Sequence, residues 1–478
     1  MLFNSIEFAI FLPLVFVLYW ILLQRSIRAQ NVLLLIASYI FYGWWDWRFL
    51  SLIVFSSIVD YIAGLGIAGT ERRGVRRAFL GMSLATNLGL LGVFKYWNFF
   101  VESFAAMIET VGLQAHPWTL QVILPVGISF YTFQTLSYTI DIYRGKMTPT
   151  RDIIAFFAYV SFFPQLVAGP IERAGNLLPQ FLKRRTLRHG AFGEGLQHIA
   201  WGLFKKIAVA DQCARLVDAA FADPATHSPA MLVAGVIFFA FQIYGDFSGY
   251  SDIAIGTAKL FGFNLMTNFR MPYFSRDIAE FWRRWHISLS TWFRDYVYIP
   301  LGGSRCGTGK AVRNTFVIFL VSGLWHGANW TFVIWGGLNA VYFLPLLLRG
   351  QNRRHLGKVA DGRLLPSPRE IGSILLTFVL VCFGWVFFRA PSLTAALTYI
   401  GGILRPAGWN WQPLIPYAGI LIPMGIMLVA EWVWRDRDVP GFSARVPYTV
   451  KWFFYYAVGL CIILSIRFEP QTFIYFQF

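Results

Sequence analysis

Apolar runs about as long as a bilayer is thick recur along this chain and constrain its fold more than any other feature. A helix needs roughly 20 such residues to cross the hydrocarbon core. Only 14% of residues are charged, against about 25% in soluble domains. The pattern predicts an all-α, polytopic membrane protein and excludes an ordinary soluble enzyme, a disordered chain and a coiled coil. The runs are 6–23, 31–45, 49–69, 78–100, 121–143, 314–330, 331–348, 371–389, 413–434 and 450–468.

Basic residues lie in the connections between these runs and predict the topology. The chain has 41 Lys and Arg against 24 Asp and Glu, a formal net charge of +17. Such residues collect in cytoplasmic loops of membrane proteins, so the charge indicates membrane topology and not nucleic-acid binding. The basic connections after 6–23, 49–69, 121–143 and 331–348 are therefore predicted to be cytoplasmic. Alternation then places both termini outside the cytoplasm, and no cleaved signal peptide is expected.

The middle of the chain, about 151–310, lacks uninterrupted spans. The apolar runs 153–169 and 229–244 are short or broken by Gly and Pro, and 172–190 is polar. Such segments fit re-entrant or interfacial helices, because irregular backbone at membrane depth needs protein or water around it. Without a repeat of fixed period or a low-complexity tail, we expect one integral membrane domain over 1–478.

The segment SGLWHGANW places His326 inside an apolar run. Ionisable residues at membrane depth are costly and usually face an interior or a water-filled path. On a continuous helix, Asn329 and Trp330 would share the face of His326, and Gly323 and Gly327 would allow close helix packing. Two interpretations fit: a general base kept neutral by burial, or a hydrogen-bonded core histidine.

The segment FWRRWHISLSTWFRD combines aromatic and basic residues around His286. Its apolar side chains recur at helical spacing, which is typical of an amphipathic helix at the membrane surface. Alternatively, Arg283 and Arg284 line a site for an anionic substrate, because guanidinium groups bind phosphates well. The predicted stripe consists of Trp282, Trp285, Leu289, Trp292 and Tyr296.

The segment YGDFSGYSD places Asp246 and Asp252 just after the run 229–244. Two carboxylates at this depth are predicted either to orient a base, to hold Arg283 or Arg284, or to form a structural ion pair at a helix break. No metal site is expected, because the four cysteines form no CxxC pair and the seven histidines form no HExxH motif.

Taken together and in this order, these segments resemble the membrane-bound O-acyltransferase family, in particular its bacterial polysaccharide-acetylating branch. The core motifs span 125–336 and begin with LPVGISFYTFQTLSY and LVAGPIER, and the terminal FIYFQF is also similar. The resemblance implies many helices around a central tunnel. It also implies that His326, the histidine of the family's WHG motif, is catalytic, and that His286 assists it.

The resemblance further implies a reaction. An acetyl group would move from a cytoplasmic thioester donor, acetyl-CoA, across the bacterial inner membrane to O-acetylate an exopolysaccharide such as alginate, with His326 as general base. No bound cofactor is expected. The implied partners are the lipid bilayer, a periplasmic protein that accepts or transfers the acetyl group, and the polysaccharide; both termini would be periplasmic. Weaker candidates for substrate or donor contact are Asn329, Trp330, Arg283, Arg284, Asp246, Asp252 and Trp325.

Two non-catalytic functions remain as alternatives to the acyltransferase: a polytopic transporter, and a scaffold of a polysaccharide export or modification complex. Interrupted helices and the acidic residues Asp60, Asp246 and Asp252 favour a transporter. A transporter of this kind is built from inverted repeats, which this sequence lacks, and both alternatives leave His286 and His326 without a role.

Overall fold

The computed structural model describes residues 1–478 except 122, 407, 436, 438–439, 443–445, 467–472 and 475–478. The described residues form helices and loops and contain no β-strand, which confirms the all-α prediction. The α-helices are α1 (Ile6–Val17), α2 (Ile27–Asp46), α3 (Leu50–Ala68), α4 (Arg73–Leu91), α5 (Trp97–Thr110), α6 (Ile128–Tyr143), α7 (Ile153–Val160), α8 (Phe163–Leu166), α9 (Ala174–Phe181), α10 (His189–Leu203), α11 (Asp211–Ala222), α12 (Pro229–Leu260), α13 (Ile278–Arg284), α14 (Ile287–Phe293), α15 (Thr308–His326), α16 (Trp330–Leu348), α17 (Pro368–Arg389), α18 (Leu393–Ile403), α19 (Leu421–Trp434) and α20 (Tyr448–Ser465). Shorter π-helical and 3₁₀ turns are Leu18–Leu22, Trp47–Phe49, Gly92–Tyr96, Phe204–Ala210, Pro272–Phe274, Arg294–Tyr298 and Gln412–Ile420.

Seven helical segments of the described chain are long and apolar enough to cross a membrane. This confirms a polytopic membrane protein, although several predicted runs differ in extent. The run 6–23 forms a shorter helical segment, Ile6–Leu22. The run 121–143 is helical only in α6, and 314–330 corresponds to α15, which begins and ends earlier. The last predicted run, 450–468, ends outside the described residues. The seven segments are Ile27–Ala68, Arg73–Thr110, Pro229–Leu260, Trp330–Leu348, Pro368–Arg389, Gln412–Trp434 and Tyr448–Ser465.

The first of two compact units comprises residues 1–192 and 257–266. Within it, Asp60 of α3 is fully buried and accepts hydrogen bonds from Ser83 Oγ at 2.5 Å and Asn87 Nδ2 at 2.9 Å, both on α4. Thr135 of α6 donates to Asn87 Oδ1 at 3.2 Å. Buried polar groups are stable when such partners are present, so Asp60 belongs to a network that joins three helices.

The second compact unit comprises residues 193–256 and 267–478. The expected helix break after 229–244 was wrong, because α12 continues without interruption to Leu260. Gly245 and Gly249 keep the helix intact while another backbone approaches closely. A Cβ at Gly245 would lie 2.9 Å from the carbonyl oxygen of Lys205, and one at Gly249 would lie 2.8 Å from that of Gly202. The motif thus provides close packing inside a helix. The prediction of one domain over 1–478 stays a prediction.

Helices α15 and α16 form a tight hairpin, because α15 ends at His326 and α16 begins at Trp330. A Cβ at Gly323 would lie 2.3 Å from the carbonyl oxygen of Phe332, and one at Gly336 would lie 2.3 Å from that of Phe319. Only glycine permits this approach at both positions. The hairpin fixes where α15 ends, and its last residue is His326.

Candidate active site

His286 lies at a break between two short helices. Helix α13 ends at Arg284, Trp285 is extended, and α14 begins at Ile287. His286 itself has φ 43° and ψ 54°, in the left-handed region. A non-glycine residue there costs about 1–3 kcal/mol unless its surroundings hold it, and such residues cluster at functional sites. The break directs the imidazole into the interior of the second unit, where His286 is fully buried.

Asn268 fixes the protonation of the His286 ring. Its Oδ1 atom accepts hydrogen bonds from the backbone N–H and the hydroxyl of Ser288, at 3.3 and 2.8 Å, and its Nδ2 donates to Ser251 Oγ at 3.0 Å. His286 Nδ1 lies 3.0 Å from the same Oδ1. Because an amide oxygen can only accept, His286 Nδ1 carries the hydrogen and donates it. In the neutral ring the lone pair is then on Nε2, where a base needs it.

His326 ends α15 and is enclosed by aromatic rings. The chain becomes extended at Gly327, and Asn329 starts the next helix. His326 is 3% exposed. Its ring centroid lies 4.8 Å from that of Trp325, 5.1 Å from Trp335 and 5.3 Å from Phe388. This enclosure is apolar and excludes bulk water from the imidazole.

The structure brings the two predicted histidines together. The ring centroids of His286 and His326 are 6.5 Å apart, although His286 lies between α13 and α14 and His326 ends α15. At this separation one oxygen atom can contact both rings. Trp325 lies against both histidines, 6.0 Å from the His286 ring, and is the only one of the weaker candidates, all of which are described, that touches this pair of rings. Phe247 of α12 meets His286 edge-on at 4.6 Å.

The predicted surface helix around His286 was wrong. The stripe is divided between α13 and α14 by the left-handed residue, so it does not run along one helix face. Its members Trp285, Leu289 and Trp292 are buried, at 1%, 1% and 5% exposure. Helical periodicity identifies residues that share an apolar face and does not distinguish a membrane surface from a protein core.

The pairing of Arg283 and Arg284 with Asp246 or Asp252 was also wrong. Arg283 donates to the backbone carbonyls of Asn352 at 2.7 Å and His355 at 2.9 Å. Arg284 Nη2 pairs with Glu280 Oε1 at 2.8 Å. Both guanidinium groups therefore hold protein groups, and neither supports the predicted contact with donor phosphates.

Glu280 also binds Arg276, whose Nη2 lies 3.0 Å from Glu280 Oε1. Burial alone raises the pKa of Glu280, but the hydrogen bonds and positive charges of Arg276 and Arg284 outweigh it and hold the pKa below its ordinary value. The carboxylate is thus charged and binds two arginines, Arg276 before α13 and Arg284 at the end of α13.

Asp252 pairs with residues that the sequence analysis did not single out. Its carboxylate lies 2.5 Å from Lys205 Nζ and 3.2 Å from His198 Nδ1. Both partners precede Asp252 by about fifty residues, and no local spacing identifies them. Asp252 thus forms an ion pair, and the pair lies within α12 and not at a helix break.

Asp246 pairs with Lys206, whose Nζ lies 2.9 Å from Asp246 Oδ1 and 2.8 Å from Asp211 Oδ1. Lys206 is 1% exposed. A buried cation of this kind requires compensation by opposite charge, and it has two carboxylates. Asp246 therefore also forms a structural ion pair inside the second unit.

Asn329 and Trp330 do not share the face of His326 as predicted. Because α15 ends at His326, Asn329 instead caps α16: its Oδ1 accepts from Thr331 N at 3.0 Å and its Nδ2 donates to the carbonyl of Pro391 at 3.1 Å. Trp330 is 53% exposed. The described residues contain no group of three or more His, Cys, Asp or Glu arranged to hold a metal ion.

Comparisons with known proteins agree with the sequence motifs. The model of MBOAT, the membrane-bound O-acyltransferase family, matches residues 148–364, a range that contains both histidines. The chain is 43% identical to the probable alginate O-acetylase AlgI of Pseudomonas aeruginosa, over 87% of this chain and 77% of the relative. It is 41% identical to the protein of the same name from Azotobacter vinelandii, over 93% and 86%. It is 36% identical to the peptidoglycan O-acetyltransferase of Helicobacter pylori, over 84% and 80%.

Proposed function

The chain belongs to the membrane-bound O-acyltransferase family, and from this premise we propose that it O-acetylates an exopolysaccharide such as alginate. The acetyl donor is a cytoplasmic thioester, acetyl-CoA, and His326 is the general base. The observation that carries this proposal is the pair of buried imidazoles with centroids 6.5 Å apart. The similarity to alginate O-acetylases supports the choice of polymer.

The reaction needs a hydroxyl to be activated and a thiolate to leave. A hydroxyl is a poor nucleophile until a base removes its proton. His326 takes that proton as the hydroxyl oxygen attacks the thioester carbonyl. The C–O bond forms, the C–S bond breaks, and the imidazolium returns the proton to the departing sulfur. The net charge of the site is then unchanged, and His326 is again neutral.

His286 orients the acceptor in this scheme. With its hydrogen on Nδ1, held by Asn268, the ring presents a lone pair on Nε2. That lone pair accepts a hydrogen bond from a second hydroxyl of the acceptor sugar, which keeps the attacking hydroxyl beside His326 with its one proton directed at His326. The aromatic rings around both histidines exclude water, which suppresses hydrolysis of the thioester.

The two substrates reach the site from opposite sides of the bacterial inner membrane. Membership of the family supports entry of acetyl-CoA from the cytoplasm and of the acceptor from the periplasm, and the positive-inside rule supports periplasmic termini. A periplasmic protein that accepts the acetyl group, or completes its transfer, is the proposed partner, because the sequence between the apolar runs offers no separate domain to grip a polysaccharide.

The test is turnover of labelled acetyl-CoA by the full-length protein in nanodiscs, with and without acceptor. His326→Ala is expected to lower turnover by about 10²–10⁴-fold, the usual contribution of general acid–base catalysis. His116→Ala is the matched control, because His116 is exposed in a loop of the first unit. Wild-type turnover in a folded His326→Ala protein would remove the base role. Absence of wild-type turnover with donor and acceptor present would contradict the proposed reaction.

A further inference from the structure

Phe473 and Ile474 are the last described residues of the chain, and both are buried in the second unit, at 0% and 1% exposure. The backbone N–H of Ile474 donates to Asp246 Oδ2 at 2.7 Å. Hydrogen bonds to an ionised carboxylate are shorter and stronger than neutral ones. A side chain in the middle of α12 therefore holds the backbone of Ile474.

The anchor is itself fixed by charge. The other oxygen of Asp246 binds Lys206, which also binds Asp211. A carboxylate clamped in this way keeps one oxygen directed at its partner and cannot rotate freely. The arrangement leaves Oδ2 of Asp246 aimed at the backbone of Ile474.

The anchored segment contacts the aromatic rings beside His286. The ring centroid of Phe473 lies 4.3 Å from that of Tyr250 and 6.0 Å from that of Phe247. Phe247 in turn meets His286 edge-on at 4.6 Å. We name Phe247, Tyr250 and Phe473 the aromatic wall.

Helix α12 thus acts on His286 through two routes. Phe247, in the aromatic wall, packs against one side of the ring. Ser251, one helical turn along, accepts the hydrogen bond of Asn268, which holds His286 Nδ1. Of the three members of the wall, all of which are described, Phe473 is the only one that is not part of α12. Asp246 holds it there through the backbone of the adjacent Ile474.

We propose that Asp246 is a positioning residue: it anchors Phe473 and Ile474 against Phe247 and Tyr250 of α12 and thereby holds His286 in its productive orientation. The ion pair with Lys206 serves to direct Asp246, and not to bind donor or acceptor. The kinetic part of this inference rests on the proposed function, whereas the anchoring itself does not.

The test removes the backbone donor and leaves Asp246 in place. Ile474→Pro has no N–H to donate, and Ile474→Val, which keeps the N–H, is the matched control. Loss of a hydrogen bond to a charged group is expected to lower kcat by roughly tenfold or more in Ile474→Pro. The KM for acetyl-CoA is expected to stay near that of Ile474→Val, because the defect lies in the orientation of His286. The melting temperature is expected to fall, because the lost hydrogen bond also contributes to stability.

A double-variant cycle separates loss of this bond from strain caused by proline. Asp246→Asn removes the charge that strengthens the bond, so Ile474→Pro is expected to lower kcat much less in the Asp246→Asn background than in the wild type. Equal losses in both backgrounds would overturn the inference, since the proline effect would then be independent of Asp246.

A readout without turnover distinguishes failure of this inference from failure of the proposed function. Carbethoxylation of His286 by diethylpyrocarbonate, located by mass spectrometry, is expected to be faster in Ile474→Pro than in Ile474→Val, while that of exposed His116 stays the same. Unchanged modification of His286 in Ile474→Pro would overturn the proposal, whatever the activity. Faster modification would support the anchoring even if wild-type protein failed to use acetyl-CoA.

Discussion

Asn268 Oδ1 lies 3.0 Å from Nδ1 of His286 and determines which nitrogen of that imidazole carries the hydrogen. The amide is held in turn by Ser251 and Ser288, so neither the amide nor the ring can flip without losing hydrogen bonds. Groups that orient a histidine by its second nitrogen are a general device of acid–base sites. Here the device comes from a loop residue outside every sequence motif that pointed to the site.

The first prediction concerns that amide. Asn268→Leu removes the acceptor at similar size, so the His286 ring loses both its orientation and its tautomer, and kcat is expected to fall by about 10²-fold, the lower end of an acid–base contribution. Asn268→Asp keeps an acceptor at the same place and is expected to retain more activity. Acetyl-CoA turnover in nanodiscs measures both. A Leu variant that is folded and as active as the Asp variant would exclude the positioning role.

The second prediction concerns the hairpin that ends at His326. Gly323→Ala places a methyl group 2.3 Å from the backbone oxygen of Phe332, where no side chain can move aside. A destabilisation of about 3 kcal/mol is expected, the upper end for overpacking, and thermal unfolding of the purified protein measures it.

Gly337→Ala is the control for this prediction. Its Cβ would meet Leu320 Cδ2 at an ordinary 3.7 Å, and alanine is the better helix former. The melting temperature is therefore expected to stay the same or to rise. Equal losses of stability at both positions would mean that the close approach of α15 and α16 is not the reason why residue 323 must be glycine.

Composition and hydropathy drew attention to both histidines, and the resemblance to the family assigned their catalytic roles, which stay predictions. An ionisable side chain inside an apolar run is rare, so His326 is conspicuous, and His286 stands in a segment of unusual composition. The sequence could not predict Asn268, because that residue lies in an irregular loop with neither periodicity nor charge. The lysine partners of Asp246 and Asp252 could not be predicted either. Lys205 and Lys206 come close to these carboxylates only because the glycines of α12 allow a second backbone to approach the helix.

The errors came from extending helices too far. Periodicity continues through His286 and through His326, yet the chain leaves the helix at both residues. Single backbone changes of this kind depend on tertiary contacts. The expectation that Asn329 and Trp330 lie beside His326 assumed that one helix continues through these residues. In the structure α15 ends at His326, and Asn329 caps the start of α16.

The third prediction follows from that cap. Asn329→Ala removes the acceptor for Thr331 N, and a loss of about 1 kcal/mol of stability is expected. Asn329→Asp retains the cap but loses the Nδ2 donor to the Pro391 carbonyl, so its melting temperature is expected to lie between those of wild type and Asn329→Ala. Both variants are expected to keep a wild-type KM for acetyl-CoA, because the side chain holds the backbone of α16 and Pro391. A KM that rises in Asn329→Asp without a change in stability would instead indicate a contact with the donor.

The fourth prediction concerns Glu280, which binds Arg276 and Arg284. Glu280→Gln leaves two arginines without their shared carboxylate. The expected cost is about 3 kcal/mol, at the low end for removing one partner of a buried ion pair. Glu71→Gln, at an exposed loop position, is the control and is expected to change the melting temperature little.

The same carboxylate gives stability a pH dependence of known sign. The folded pKa of Glu280 lies below its ordinary value of 4.5, so its contribution is complete above about pH 4.5 and is lost as the pH falls through the folded pKa. Melting temperatures of wild type and Glu280→Gln are therefore expected to differ most at neutral pH and to converge on acidification below about pH 4.5. A difference that stays constant to low pH would show that the lost stability comes from packing and not from the charge of Glu280.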